Sequence, residues 1–101
     1  MIQSLICDFR NDYIDKIKFD NINKFVEDRL NEDGTVWILS NNQYKNKILQ
    51  IKSFYICNSL SGLLLKNIIL FYNNKKNRRN IFFNDSIEHI LFFSKSKKFY
   101  L

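Results

Sequence analysis

Apolar residues in this chain are concentrated in four short runs, at residues 2–7, 35–39, 63–72 and 88–93. The second run, Thr-Val-Trp-Ile-Leu, is β-branched or aromatic at four of its five positions, which is typical of a strand covered on both faces. The other three runs are apolar on balance and bounded by polar residues, as buried strands are. The pattern therefore predicts four strands with little exposed surface.

The segment between the first two runs has the spacing of a helix. Either Asp20 or Asn21 can cap this helix, and its apolar stripe consists of Ile22, Phe25, Val26 and Leu30. The polar residues 31–33 then interrupt the stripe, and Gly34 is able to take a positive φ. We therefore expect the first helix to end just before Gly34.

A second helical stripe follows the run at 35–39. It consists of Tyr44, Ile48, Ile51 and Tyr55. The polar residues at 40–42 (Ser40, Asn41 or Asn42) can start this helix, and Gly62 is placed to end it. The predicted order is therefore strand, helix, strand, helix, strand, strand. Such alternation favours an α/β fold with parallel strands joined by helices, and the last two strands add an antiparallel hairpin at the edge. We expect residues 1–101 to form a single domain.

The loop between the last two strands is strongly basic. It carries four cations, Lys75, Lys76, Arg78 and Arg79, and three more lysines follow the last strand at 95, 97 and 98. The whole chain has a net charge of +6 and a pI near 9.4, which permits a nucleic acid or another polyanion as partner. The alternative is that any hairpin needs a solvated loop, and the charges alone do not decide between the two.

Most enzymatic signals are missing from the sequence. The single histidine, His89, excludes a multi-histidine metal site, and we interpret it as structural. No serine lies in a nucleophile-elbow sequence and no glycine-rich loop could hold a phosphate, so we expect neither a metal nor a nucleotide cofactor. No apolar run approaches the roughly 20 residues that span a bilayer. With two isolated cysteines and no signal-peptide pattern, a cytoplasmic protein without a membrane partner is expected.

Three segments resemble the β-group DNA methyltransferases, which methylate the exocyclic amine of adenine or cytosine. DGTVWI at residues 33–38 resembles the family's "rvLkddGtiwi" strand, and NIILF at 67–71 resembles its "N-x-I-I-W-x-K-x-N" segment. FFN at 82–84, followed by EHILFFSKSKKFY at 88–100, is similar to "F-x-N-x-x-E-x-I-L-x-x-S-K-x-x-K-x-Y". The segments occur in the family's order, and the resemblance covers residues 4–101. It implies the partial sheet of a Rossmann-like methyltransferase.

The resemblance also implies a site at the end of the first strand. The family's strand reads "D-L-I-x-x-D-P-P-Y"; here SLICD fits it, and Asp8 is followed by Phe9, Arg10 and Asn11. In the family, the acidic residue and a backbone carbonyl bind the target amine while the aromatic residue stacks on the flipped base. Asp8 is thus the implied catalytic residue. Arg10 and Asn11 supply neither the stiffness of proline nor a stacking ring. Phe71 would line the base pocket, or would be an ordinary core residue.

S-adenosylmethionine is the family's cofactor, and its binding half, with a Phe-x-Gly-x-Gly turn, lies C-terminal to the region matched here. Residues 1–101 hold no such turn. We therefore expect a truncated and degenerate methyltransferase that binds no cofactor and is inactive alone. The resemblance implies DNA as partner, with adenine favoured over cytosine and the loop cations on phosphates. Two alternatives stay open: a small basic nucleic-acid-binding protein without catalysis, and one subunit of a split methyltransferase completed by a complementary chain.

Overall fold

The computed structural model describes residues 1–11, 16–45, 48–72 and 87–98, and it describes the backbone but not the side chains of residues 43–45, 48–50 and 72. Its elements, in chain order, are β1 (Ile2–Asp8), α1 (Lys16–Arg29), β2 (Leu30–Lys45), β3 (Ile48–Ile51), α2 (Lys52–Ser59), β4 (Leu64–Tyr72) and β5 (Ile87–Ser94).

The described strands form one mixed sheet in the order β1-β2-β5-β4, and β3 pairs with the end of β2. β1 and β2 run parallel and are joined by α1, whereas β5 is antiparallel to both of its neighbours. The predicted α/β class, the central position of residues 35–39 and the antiparallel pairing of the last two strands are therefore confirmed. β2 and β4 both run opposite to β5, so the connection through α2 joins two parallel strands that have β5 between them.

The second helix begins later than the sequence predicts. Instead of starting at residues 40–42, the chain continues as β2 to Lys45 and returns as β3, with Asn42 opposite Ile51 and Lys45 opposite Ile48. α2 starts only at Lys52. The short run ILQI of β3 is compatible with either a helix or a strand by its spacing, and the local hairpin decides between them. The first helix forms in the predicted region, but α1 begins at Lys16 rather than at the predicted caps.

The two helices cover one face of the sheet. There the core is formed by Phe19 and Val26 of α1, Ile56 of α2 and strand residues that are almost fully buried, namely Val36, Ile38, Leu91 and Phe93. Fully burying such a side chain stabilises the fold by about 1.5–3 kcal/mol. The helices therefore fix the sheet at β2 and β5, which carry the residues of the site described below.

The prediction that all four strands are buried is wrong for β1 and β4. Ile6 of β1 is 71% exposed, and five residues of β4 are 42–62% exposed, namely Leu64, Leu65, Ile68, Ile69 and Leu70. The cause is the sheet order, because β1 and β4 are the outer strands of the described sheet and have a neighbour on one side only. An apolar run alone does not distinguish an inner strand from an outer one.

Gly34 also has a different role from the one predicted. Its φ lies outside the left-handed region, and it is a residue of β2 rather than a helix terminator. A Cβ at this position would lie 2.6 Å from Leu30 Cγ and 2.8 Å from the Asn31 carbonyl oxygen. Glycine is required here because the side chain of the fully buried Leu30 takes the space.

Candidate functional site

Polar residues meet at the end of the sheet where the parallel strands β1 and β2 finish. Asp8 is the last residue of β1 and lies opposite Leu39, and two residues further along β2, Asn41 lies opposite Glu88 of β5. The carboxyl ends of parallel strands are the usual position for ligand sites in α/β sheets. Ser40, Asn41, Glu88 and His89 are buried here although they are polar, which is costly unless they have partners.

Arg10 binds both carboxylates of this cluster. Its Nε donates to Asp8 Oδ1 at 3.0 Å, its Nη2 donates to Asp8 Oδ2 at 2.8 Å, and its Nη1 donates to Glu88 Oε2 at 3.1 Å. The backbone N–H of Arg10 adds a further bond to Asp8 Oδ1 at 3.0 Å. The Arg10 guanidinium beside Asp8 holds the pKa of that carboxyl below its ordinary value, and the two carboxylates raise the pKa of Arg10. Asp8 is therefore ionised at neutral pH, with both oxygens already bound to Arg10.

The backbone after Asp8 is held by other side chains. Lys52, the first residue of α2, is 2% exposed, and its Nζ donates to the carbonyl oxygens of Phe9 at 2.7 Å and Arg10 at 3.1 Å. Asn41 Nδ2 donates to the same Arg10 oxygen at 2.9 Å, and the Phe9 N–H donates to the Leu39 carbonyl at 2.8 Å. These bonds fix the turn without proline.

The amide oxygen of Asn41 differs from the other acceptors of the cluster. Asn41 is 7% exposed, and its Oδ1 is buried without a hydrogen-bond partner among the residues that the structure describes. A buried acceptor without a donor is unfavourable. The cluster therefore has more acceptor capacity than its own donors satisfy.

His89 lies behind the cluster, on the face that the helices cover. Its Nδ1 is 2.6 Å from Ser53 Oγ, and burial lowers the pKa of the imidazole below its ordinary value of 6.5. A neutral imidazole that bonds to the first turn of α2 is a link between helix and sheet, as expected of a structural histidine.

The candidate residues taken from the sequence have different positions. The carboxylate of Asp8 lies at the surface, and Phe71 is half-buried on β4, directly opposite Glu88. Lys75, Lys76, Arg78 and Arg79 lie outside the described residues. The residues that flank their segment, Tyr72 and Ile87, pair with each other at the same end of the sheet as Asp8.

The three lysines after β5 lie at the other end of the sheet. Lys95 N–H donates to the Gly34 carbonyl, and Lys95 Nζ donates to the Leu30 carbonyl at 2.8 Å and lies 3.5 Å from Glu32 Oε1. Lys97 and Lys98 are exposed beside it. The length of β5 therefore separates these lysines from the end of the sheet at which Tyr72 and Ile87 pair.

The sequence did not predict the roles of Arg10, Lys52, Asn41 and Glu88. Glu88 was the one signal present in the sequence. It is an acidic residue at the start of a buried apolar strand, and a buried carboxylate needs a partner. The role of Lys52 could not be predicted from the sequence, because it depends on the residue at which α2 begins.

The described part of the chain contains no cluster of three or more potential metal-ligating side chains. Neither described helix has the length and apolar composition needed to cross a membrane.

Solved structures with a similar fold are known, whereas no protein-family model and no curated protein matches the sequence. PvuII DNA methyltransferase, described as cytosine-N4-specific, superposes with a TM-score of 0.75 at 16% identity, over 97% of this chain and 44% of that one. M1.HpyAVI in complex with SAM gives a TM-score of 0.65 at 20% identity, over 96% of this chain and 44% of that one. A putative DNA modification methylase from Thermus thermophilus gives 0.70 at 14% identity, over 99% of this chain and 47% of that one. The chain therefore has a DNA methyltransferase-like fold and spans less than half the length of these solved chains.

Proposed function

We propose that residues 1–101 form one domain equivalent to the catalytic half of a Rossmann-like DNA methyltransferase, in a degenerate form that contacts DNA but transfers no methyl group on its own. The proposal rests on the observation that the hydrogen-bond acceptors after β1 are already bound by side chains of this chain. The Asp8 carboxylate is bound by Arg10, and the Phe9 carbonyl is bound by Lys52. The fold similarity to methyltransferases named as DNA-modifying enzymes supports DNA as the partner.

The acceptor geometry supports the proposal that this chain does not catalyse methyl transfer on its own. A target amine must donate to a free carboxylate oxygen and a free carbonyl in order to be held for methyl transfer. At this site, a bidentate guanidinium and a buried ammonium already donate to those groups, and a neutral amine would offer neither the positive charge nor the two parallel bonds that the guanidinium gives Asp8. A neutral amine would not displace either cation. Adenine remains the base favoured for the ancestral reaction, with Phe71 at the edge of its pocket.

The residues of this chain do not fit S-adenosylmethionine. Its two glycines are Gly34, which packs against Leu30 within β2, and Gly62, which follows α2. Neither belongs to a glycine-rich turn after a strand, which is the usual seat of such a cofactor. We expect calorimetric titration of the 101-residue chain with S-adenosylmethionine to show no saturable heat. A micromolar dissociation constant would contradict this.

DNA contact is assigned to the basic loop. In the sequence, the four cations Lys75, Lys76, Arg78 and Arg79 come soon after Tyr72, which lies at the same end of the sheet as Asp8. We expect cations so close in sequence to act as a single positive patch. If all four contact phosphates of duplex DNA, the logarithm of affinity falls with the logarithm of salt concentration at a slope of about −3.6. This slope is measured by fluorescence anisotropy on duplexes of several sequences.

The matched variant replaces Lys75, Lys76, Arg78 and Arg79 by Ala. We expect this variant to bind all duplexes more weakly, because phosphate contacts carry no sequence preference. We expect its salt dependence to be nearly flat, because the phosphate contacts of the loop are lost. An unchanged slope in this variant would show that the loop is only a solvated turn.

A second candidate function is favoured by the position of β1. β1 is an edge strand among the described residues, and a parallel edge strand can offer its outer hydrogen-bonding groups to another strand. Ile6 on β1 is also 71% exposed. A complementary chain that carries the cofactor half could pair along this strand to form a split methyltransferase. The test mixes this chain in equal amounts with a candidate chain that carries a Phe-x-Gly-x-Gly turn, and measures S-adenosylmethionine binding. We expect saturable binding by the mixture and no binding by either chain alone.

A further inference from the structure

β4 is an outer strand of the sheet among the described residues, and the first half of its edge has features that prevent pairing. The register with β5 shifts between Leu65 and Asn67, so the ladder is irregular at Lys66. An irregular ladder and a lysine both keep a further strand from pairing with a sheet edge. From Asn67 to Tyr72 the register is regular, and the segment contains neither a charged residue nor proline. The second half of β4 is therefore the part of this edge that can accept another strand.

One hydrogen bond shows the direction of the backbone groups in this half. The N–H of Ile68 donates to Oδ1 of the exposed Asn67 at 2.8 Å, so this N–H points away from β5. Backbone groups point to alternate sides, residue by residue, along an antiparallel strand. Ile68, Leu70 and Tyr72 therefore direct their N–H and C=O groups outward. Ile69 directs its own groups toward β5.

The side chains of this segment are apolar on both faces of the sheet. Ile68 and Leu70 are 44% and 62% exposed. They lie on the face that carries the helices, because their partners on β5 are Leu91 and His89. Ile69 is 42% exposed on the opposite face. A strand placed beside β4 in the plane of the sheet contacts both sets of side chains, whereas a ligand that lies on one face contacts only one.

We propose that two copies of this chain form a dimer by pairing the second halves of their β4 strands in antiparallel orientation, which joins the two sheets into one. Outward-directed residues must face outward-directed residues for ladder hydrogen bonds to form. The register that keeps all of them within the regular segment places Leu70 opposite the partner's Leu70. Ile68 then lies opposite the partner's Tyr72, and the helices of both copies lie on the same face of the joined sheet.

A second copy fits this edge because the segment is complementary to itself. A symmetric dimer needs a surface in which each residue meets its counterpart across a twofold axis. The outward-directed residues are spaced evenly about Leu70, and residues 68–72 are uncharged, so pairing brings no like charges together. Lys66, the one charged residue of β4, lies outside the paired segment. Because the contact closes on itself, association ends at the dimer.

The dimer is measured on the 101-residue chain by analytical ultracentrifugation and by amide hydrogen exchange over a range of concentrations. We expect a monomer–dimer equilibrium at micromolar concentrations. The amides of Ile68 and Leu70 should exchange slowly in the dimer and rapidly after dilution, since their N–H groups bond across the axis only in the dimer. The amide of Ile69 points toward β5 and should be protected at every concentration. This measurement uses the unaltered protein and needs no substitution.

Charged substitutions at the axis test the register. In L70K, two like charges replace the leucine contact, so the dissociation constant should rise at least about tenfold. The matched control is L65K, which adds the same charge at a half-exposed leucine on the same face but outside the paired segment, and it should dimerise like the unaltered protein. An equimolar mixture of L70K and L70E should form a heterodimer at concentrations at which each variant alone is monomeric, because lysine then faces glutamate.

An unaltered protein that stays monomeric up to millimolar concentration would overturn the inference and leave this edge to a strand of another protein. A dimer without concentration-dependent protection of Ile68 and Leu70 would also reject it, because the contact would then lie elsewhere. Equal weakening by L65K and L70K would indicate a general apolar contact instead of strand pairing. A mixture of L70K and L70E that stays monomeric would exclude the register, and assemblies that grow beyond the dimer would exclude the closed symmetry.

Discussion

Core packing requires a glycine at position 34. A Cβ there would approach Leu30 Cγ to 2.6 Å, and Leu30 is fully buried and cannot turn away. We expect G34A to lower the free energy of unfolding by about 1–3 kcal/mol, as overpacking of a core does. Urea unfolding followed by tryptophan fluorescence measures it, because Trp37 lies three residues away in the same strand.

The other glycine of the chain is the matched control. A Cβ at Gly62 would meet nothing within 4 Å, and its φ is outside the left-handed region. G62A should therefore leave stability unchanged or raise it by up to about 1 kcal/mol through the lower entropy of the unfolded chain. Equal losses in both variants would contradict the packing argument.

His89 makes stability depend on pH. Burial lowers its pKa in the folded protein, whereas the unfolded chain has the ordinary value of 6.5. Between the two values the unfolded state binds more protons, so the free energy of unfolding falls as the pH drops below about 6.5 and stops falling below the folded pKa. We expect H89Q, which keeps a polar partner for Ser53, to be less sensitive between pH 7.5 and pH 5.5. Urea titrations at the two pH values test this, and parallel losses in both proteins would contradict it.

The residues of the site could be predicted only in part. Asp8 was predicted because it matches a motif on its own strand, and its catalytic role stays a prediction. Its partner network could not be found, because Arg10 meets Glu88 across 78 residues of sequence and Lys52 reaches Phe9 across 43. Local sequence patterns do not show which residues far apart in the sequence come into contact. A changed motif residue also does not show which acceptors its new side chain will bind.

At the scale of elements, β4 is an outer strand with the composition of an inner one. Leu70 is 62% exposed, and four other apolar residues of β4 are 42–44% exposed. Exposed apolar strands of this length at a sheet edge promote association between chains. We expect the 101-residue chain to self-associate at micromolar concentrations, and L70K to raise the concentration at which it does so without lowering the melting temperature. Light scattering and thermal unfolding measure the two effects.

The contrasting variant is L91K on the neighbouring strand. Leu91 is fully buried, so a lysine there would bury an unpaired charge and unfold the chain. If L70K were as destabilising as L91K, β4 would not have the exposure described.

Secondary-structure elements could be predicted from the sequence where the local composition favours the same structure as the pairing between strands. The run at 35–39 is β-branched and lies at the centre of the sheet, so it was found correctly. The residues from 40 to 51 have helical spacing, but they form the end of β2 and the hairpin with β3, because pairing between neighbouring segments outweighs weak helical propensity. Whether an apolar strand is inner or outer depends on the order of the whole sheet, which no single segment specifies.

At the scale of the whole molecule, the lysines after β5 lie far from the end of the sheet at which β4 finishes. Tyr72, the last residue of β4, lies at the end that carries Asp8, whereas Lys97 and Lys98 follow β5 at the opposite end. β5 has eight residues, which corresponds to about 26 Å at the usual rise of a strand. This is more than twice the screening length of about 8–10 Å at physiological salt, so Lys97 and Lys98 act separately from charges at the end of the sheet where β4 finishes.

This separation predicts different effects for two variants that each remove two lysines. Replacing Lys75 and Lys76 by Ala should reduce the magnitude of the salt slope for duplex DNA by about 1.8, because each phosphate contact contributes about 0.9. Replacing Lys97 and Lys98 by Ala should leave the slope nearly unchanged, although the net charge falls from +6 to +4 in both variants. Anisotropy titrations at several salt concentrations measure both slopes. Equal reductions would mean that the chain attracts DNA through its total charge, and the assignment of the contact to the basic loop would be wrong.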